Sequence, residues 1–568
     1  MPASTDPVVR SHDATLSRPA WIALVLVFAL VWFANLDYRR LIHPDEGRYA
    51  EIPREMVASG DWLTPRLDGI KYFEKPALQY WLTAAAYEAF GIHQWTARLW
   101  PALAGFAGVV FIGYVGFRLG GPVLGLYGAA ALGGCVWYVL NAHILTLDAG
   151  LTLWMSVGFG ALLLAQRSAA SKREQRTWML IAWSALALAV LSKGLIGVVL
   201  PGASLFVYSL LTRDWAVWRR LHLVGGLLLF ALIAAPWFIA VSLANPEFFR
   251  FFFIHEHFER FLTNEHHREG AWWYFLPIFA VGILPWLTVL VWTVPRMWSG
   301  PVVDRNGFSW QRYALVWSAF ILVFFSMSSS KLPSYILPVF PALALLIGAQ
   351  LATLPERTLL WLTLPLVVAT GVCMLAIGFG SDTIAQHFAD ERQPLAPLLA
   401  YDRWLVAACA TALGGGAVAL WWLNGGKRTA AVLAVALTTL LAALLVLTGH
   451  DELAESRSAA PILSRVVSQH GPLAADAPFY SVKMYDQTLP WYLGRTVTPV
   501  AHLDELAMGL AIEPDKAVAT LAEWKQRWDR ETQAYAIMQV DMYETLLREG
   551  VPMRELGRDP RRVIVSRR

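Results

Sequence analysis

Up to about residue 450 the chain alternates long uncharged apolar stretches with short polar turns. The stretches run over 19–36, 99–117, 119–142, 149–166, 177–192, 194–212, 223–246, 270–295, 313–330, 332–355, 358–381, 404–426 and 429–449. A bilayer core of ~30 Å takes about 20 apolar residues in a helix, so the pattern predicts thirteen spans. Residues 177–212 hold a single charge, Lys193. As one helix they would be ~54 Å long, too long for one crossing. Two helices with a turn at Ser192-Lys193-Gly194 fit better, and such a turn puts the ammonium in water. Segment 77–91 is short and contains Glu88, and reads as an interfacial helix. Beyond 450 the pattern changes. Phe479–Val482, Thr496–Val500, Ala534–Val540 and Arg562–Ser566 read as strands, Ala517–Arg530 and Met542–Glu549 as helices. The expected architecture is an all-α polytopic membrane domain over 1–450 and a soluble α/β domain over 451–568.

Composition agrees. Of 568 residues, 57% are hydrophobic and 15% charged, against roughly 25% charged in soluble proteins; mean hydropathy is +0.46. That excludes a soluble enzyme, a disordered chain and a nucleic-acid binder. The 27 Trp suit membrane interfaces. Cys135, Cys373 and Cys409 all lie in apolar runs, so neither a disulfide framework nor a thiolate metal site is expected. The first apolar run is followed by Asp37-Tyr38-Arg39-Arg40, not by small residues, and reads as a retained anchor.

Charge sets the orientation. With the N-terminus cytoplasmic, inner segments hold sixteen basic residues and short outer loops seven, as the positive-inside rule asks. Arg39 and Arg40 run against it. An odd number of spans leaves the C-terminus outside.

Ionisable residues abutting spans collect on the outer face. The first loop, 37–98, carries His43-Pro44-Asp45-Glu46-Gly47-Arg48-Tyr49 and Lys71-Tyr72-Phe73-Glu74-Lys75-Pro76. Then come Asp148, Lys193, the run His255-Glu256-His257-Phe258-Glu259-Arg260, and Ser328-Ser329-Ser330-Lys331-Leu332-Pro333-Ser334-Tyr335. At span ends these groups avoid the mid-bilayer cost of about 2.5–3.5 kcal/mol each and can line a wet cavity.

An Asp-Glu opening the long first outer loop, a Lys-Pro before an interfacial helix and an acid after the third span resemble the GT-C class of membrane glycosyltransferases. Within it, Lys331-Leu332-Pro333-Ser334-Tyr335-Ile336-Leu337-Pro338 resembles the transferases that modify lipid A with 4-amino-4-deoxy-L-arabinose, and the resemblance covers the whole chain. It implies a sugar carried on undecaprenyl phosphate, a lipid A phosphate as acceptor, inversion at the anomeric carbon, and resistance to polymyxin. The site would face the periplasm from the bacterial inner membrane, in a monomer that binds no nucleic acid. The nucleophile is then an anionic phosphate oxygen and the leaving group a stable lipid phosphate. Neither a strong base nor an acid is needed, and positioning and electrostatics remain.

On that basis Asp45 is the leading catalytic carboxylate and Asp148 the second, with Arg48 one turn from Asp45. Lys75, Arg260 and Tyr335, supported by Tyr72, would hold the carrier phosphate, with Lys193 and Lys331 as further phosphate ligands. No cofactor is required, although Glu74 and His255 could together bind a divalent ion. Each residue also has a plainer reading. Asp45 and Asp148 could cap helices; Lys75 and Arg260 could snorkel to headgroups; Lys193 could sit in a solvated turn; Lys331 and Tyr335 could anchor at the interface. Glu74 and His255 could be a hydrogen-bonded pair, and His257, His266 and His267 loop residues. Phe248, Phe249, Phe251, Phe252 and Phe253 read as an interface helix or a wall for a polyprenyl chain. Rival functions are transfer of mannose or another sugar to protein or glycan and, more remotely, a lipid flippase or transporter. Against the latter, the charges sit at one face and no repeat is visible.

Overall fold

The computed structural model describes residues 18–259, 270–299 and 307–567. Every predicted apolar stretch contains helix. The first elements are α1 (Arg18–Phe33), α2 (Asp45–Ser59), a hairpin of β1 (Arg66–Leu67) and β2 (Ile70–Lys71), α3 (Leu78–Phe90), α4 (Gln94–Gly133), α5 (Val136–Ala142), α6 (Asp148–Gln166), α7 (Lys172–Lys193), α8 (Ile196–Thr212) and α9 (Leu223–Ala244). The long α4 is broken at Gly120-Gly121, where Gly121 takes a φ of +84°, open to glycine but strained for other residues.

Among the described residues, eight helices are long and apolar enough to cross a membrane, or nine if Phe275–Gly282 and Leu287–Ser299, bent by 106°, form one span. The expectation of thirteen exceeds this for identifiable reasons. That number takes α4 as one span, although it turns back at Gly120-Gly121. A Cβ on Gly113 would lie 3.1 Å from the Ala129 Cβ and one on Gly133 3.5 Å from Val109, so 99–117 and 119–142 are separate, antiparallel helices as expected. α1 and α8 are shorter apolar helices, and α7 is not among the eight. The bend falls just before Pro285, which disfavours helix at the residue preceding it. Helix α6 lies at the centre: nearly every one of its residues is buried, against α4 and α7.

The C-terminal part builds a five-stranded sheet in the order β4-β3-β5-β7-β6, with β3 (Phe479–Val482), β4 (Thr498–Val500), β5 (Tyr535–Gln539), β6 (Arg554–Arg558) and β7 (Arg562–Ser566). Strand β3 pairs in parallel with β4 and β5, and β7 pairs antiparallel with β5 and β6. The four expected strands are present within a residue or two. β6 went unpredicted because Arg-Glu-Leu-Gly-Arg is a charged edge strand with little to bury. The helix expected from Ala517 starts at Leu521, capped by the Thr520 hydroxyl, because Val518 instead pairs with Val500. The second helix runs Val540–Arg548.

This part sits directly on the first loop. The Tyr492 hydroxyl accepts the Leu41 N–H at 2.8 Å, and Asp68 accepts the Val497 N–H at 2.7 Å. At Gly47 the two backbones nearly touch: a Cβ there would lie 2.5 Å from the Gln487 carbonyl carbon. Gly47→Ala is therefore expected to cost about 1–3 kcal/mol, as overpacking does, read as a lowered unfolding midpoint. The two arginines that break the charge rule are compensated within the protein. Arg39 is buried against Glu46 at 2.8 Å, and Arg40 pairs with Asp451 at 2.7 Å. The Phe248–Phe253 run is not a simple interface helix: Phe248 and Phe252 are fully buried, and Phe248 packs against Phe73 and Trp237, while Phe249 is exposed.

Candidate active site

The site begins where α2 begins. Asp45 and Glu46 are adjacent but have opposite fates. Glu46 is fully buried and bonds to both Arg39 and Arg98 through both its oxygens. Its oxygens also accept the Ile42 and Leu145 N–H groups. Burial alone would raise its carboxyl, but Arg39 and Arg98 hold it well below the usual range. Asp45 turns outward, with 48% of its side chain exposed, and lies 3.8 Å from Arg48. It occupies the first helical turn after Pro44 without a capping bond, so the cap reading fails. An acid there is still favoured by the helix dipole.

Arg48 is buried. It pairs with Glu505 at 2.7 Å and donates to the Tyr72 hydroxyl at 3.2 Å. Burial pushes the Glu505 carboxyl up, against the pull of Arg48. Glu505 comes from the C-terminal part and was missed at the sequence level; nothing in Leu503-Asp504-Glu505 marks it, because only folding brings it to Arg48.

Asp148 opens α6, again without a capping bond. It forms an ion pair with Lys193, whose ammonium also lies 4.9 Å from the centre of the Tyr335 ring. The turn at Ser192–Gly194 is as expected, with Gly194 at a φ of +92°. The ammonium is not in water, however: the Lys193 side chain is only 10% exposed, because α6 supplies a carboxylate at the same depth. The Asp148 group joins the Asp45 group through packing. Leu145 and Leu147, just before Asp148, belong to one apolar cluster with Tyr49 and Tyr80. Gln79 reaches to within 3.4 Å of where a Cβ on Gly150 would stand.

Lys75, four residues before Gln79, pairs with Glu256 at 3.2 Å and lies 3.9 Å from Glu74. It is thus held inside the protein, not extended to headgroups. Glu256 was within a run singled out in the sequence but was not itself selected. Lys331 is 8% exposed and donates to the Ser328 carbonyl at 2.6 Å, which is burial too deep for an interfacial anchor. The His255 ring stacks on Phe251 at 5.2 Å. Among the described residues no group of three or more His, Cys, Asp or Glu is placed to hold a metal ion. Arg260, His266 and His267 lie outside the described residues, as do the side chains of His257 and Glu259.

Comparison with known proteins places this geometry. Residues 20–252 match the family model for dolichyl-phosphate-mannose-protein mannosyltransferases, and 465–567 that for the aminoarabinose transferase C-terminal domain. The chain is 31% identical over 338 residues to the undecaprenyl phosphate-alpha-4-amino-4-deoxy-L-arabinose arabinosyl transferase of Edwardsiella ictaluri, covering 59% of this chain and 60% of that protein. It is 33% identical over 354 residues to a Pseudomonas fluorescens protein of the same name, covering 60% and 58%. The chain thus aligns with about three fifths of the length of these curated relatives. The crystal structure of ArnT from Cupriavidus metallidurans bound to undecaprenyl phosphate superposes with a TM-score of 0.91 at 37% identity, over 97% of this chain and 99% of that one. Its apo form gives 0.88. The fold and the matched segments define an integral-membrane protein of the GT-C glycosyltransferase class. Within that class, the chain belongs to the aminoarabinose transferase (ArnT) family.

Proposed function

We propose that this protein moves 4-amino-4-deoxy-L-arabinose from undecaprenyl phosphate to a phosphate group of lipid A, inverting the anomeric carbon, and so confers resistance to polymyxin and cationic peptides. The observation that carries this reading is the likeness, at 37% identity along nearly the full chain, to an ArnT whose structure holds undecaprenyl phosphate. The site would open to the periplasm of the bacterial inner membrane. Thirteen spans would put the N-terminus inside and the 451–568 domain outside, and the protein would act as a monomer.

Asp45, half exposed at the start of α2, would face the reacting sugar and stabilise positive charge growing at its anomeric carbon. Asp148, held by Lys193, would contact the sugar or its amino group. Lys75, Tyr72, Arg260 and Tyr335 would bind the carrier phosphate, and Arg48, tied to Tyr72, would orient that wall. Because the leaving phosphate is stable as an anion, fixed cations suffice and no cofactor is required. Glu74 and His255 are the pair we would assign to a divalent ion. Lys75→Ala is expected to weaken undecaprenyl phosphate binding by about 10-fold or more, the worth of a charge-assisted hydrogen bond, measured on purified protein; unchanged affinity removes Lys75 from the carrier site.

A second reading, transfer of mannose to protein or glycan, is favoured by the family model matched over residues 20–252. Purified protein should be offered undecaprenyl phosphate carrying aminoarabinose or mannose, with lipid A or peptide acceptors. Aminoarabinose on lipid A supports the first reading, mannose on peptide the second. A lipid flippase would transfer neither sugar.

A further inference from the structure

The cations around the candidate site differ in how their charge is met. Lys75 has Glu256 and Glu74, Lys193 has Asp148, and Arg48 has Glu505 and Asp45. Among the described residues Lys331 has no carboxylate: its ammonium bonds to one group, the Ser328 carbonyl. An ammonium carries three N–H donors, so two remain unused. An unneutralised cation buried in protein is costly. The neighbouring Ser330 hydroxyl is also buried and without a partner, a second cost of the same kind.

The loop is built to hold this arrangement. The Ser328 hydroxyl donates to the Ser330 carbonyl at 3.1 Å, which folds 328–331 back on itself. Lys331 then reaches the Ser328 carbonyl, and its stem lies against Gly270, where a Cβ would come within 3.1 Å of the Lys331 Cδ. Four residues on, Tyr335 stands over Lys193 and so beside Asp148. Among the described residues, free donors on a buried cation and a buried hydroxyl, in the turn that leads to Tyr335, match an incoming anion that accepts several hydrogen bonds.

We propose that Lys331 and the Ser330 hydroxyl form a second anion subsite, separate from the Lys75 wall, that takes the phosphate monoester of a lipid substrate. This rests on the proposed transfer reaction, in which two lipid phosphates meet at one sugar. Lys75 already has its carboxylates; Lys331 gains its counter-charge only when a phosphate arrives. The subsite therefore trades stability of the empty protein for binding.

The test uses full-length protein in detergent with Lys331→Met, which keeps the stem and removes the charge, and Ser330→Ala. Affinities are measured for undecaprenyl phosphate, for lipid A, and for undecaprenol as the uncharged control. Lys331→Met is expected to weaken one phosphorylated lipid about 10-fold or more, leave undecaprenol unaffected, and raise the unfolding midpoint of the empty protein. Ser330→Ala should weaken the same lipid by a smaller factor, and Lys331→Arg should retain binding. Loss confined to lipid A assigns the subsite to the acceptor; loss confined to undecaprenyl phosphate makes Lys331 part of the Lys75 wall and overturns a separate subsite. Unchanged affinity for both, or a Lys331→Met protein that fails to fold, overturns the proposal, the latter because the ammonium would then be structural. Wild-type protein that binds both lipids but transfers no aminoarabinose would refute the transfer reading and leave the subsite standing or falling on its own affinities.

Discussion

Asp45→Asn is expected to lower aminoarabinose transfer by about 100-fold or more while leaving the protein folded. The size follows from the proposed role: removing one preorganised charge aimed at a developing transition state costs about 10²–10³ in rate where it has been isolated. The amide keeps the shape and loses the charge. Folding should hardly notice, because the Asp45 side chain is 48% exposed and its contact with Arg48 is a loose 3.8 Å, and partly exposed pairs contribute little. Two measurements check this together: mass spectrometry of lipid A from cells carrying wild type or variant, and thermal unfolding of both purified proteins. A variant that adds aminoarabinose at the wild-type rate removes Asp45 from the chemistry.

Glu46→Ala, one residue away, should do the reverse and act through stability. Its carboxylate is the counter-charge of both Arg39 and Arg98, and it accepts main-chain N–H groups from Ile42 and Leu145. Removing it strands two buried guanidinium groups, and breaking a buried pair costs about 3–5 kcal/mol. The expected result is a midpoint lowered by several degrees, with activity lost in proportion to folded protein. The pH dependence has a definite sign. Arg39 and Arg98 keep the folded Glu46 carboxyl well below its ordinary value. Its contribution is therefore complete above the unfolded value of about 4.3 and is lost as the pH falls from there toward the folded value. The stability gap between wild type and Glu46→Ala should be widest near neutrality and narrow under acid. A gap that is constant with pH would mean Glu46 does not act through its charge.

The contrast between these neighbours shows what a linear reading could reach. Asp45-Glu46 is conspicuous in sequence as a charged pair opening a long loop, and Asp45 was selected. That Glu46 is a structural hub was not legible, since Arg98 lies 52 residues away and meets it only when α4 packs against the first loop. Lys193 shows the same limit in another form. Its position at a turn followed from helix length, but its environment did not: a lone lysine at a span end reads as solvated until α6 is seen to present Asp148 to it. Glu505 and Glu256 carried no signal, because each matters only through a partner brought up by folding, Arg48 for one and Lys75 for the other.

Hydrophobic pattern along the chain was enough for the helices, the turn at Lys193, the helix after Lys75-Pro76 and most strands of the C-terminal sheet. These are local consequences of hydrophobic period and of bilayer-length apolar runs, and they depend on near neighbours. Which ionisable groups are spent on one another, and which are left to meet a substrate, emerged only once distant segments were packed together. Burial makes an unpaired charge expensive and so forces partners to be found across tens to hundreds of residues, and that pairing leaves Asp45 turned outward and, among the described residues, Lys331 without a carboxylate.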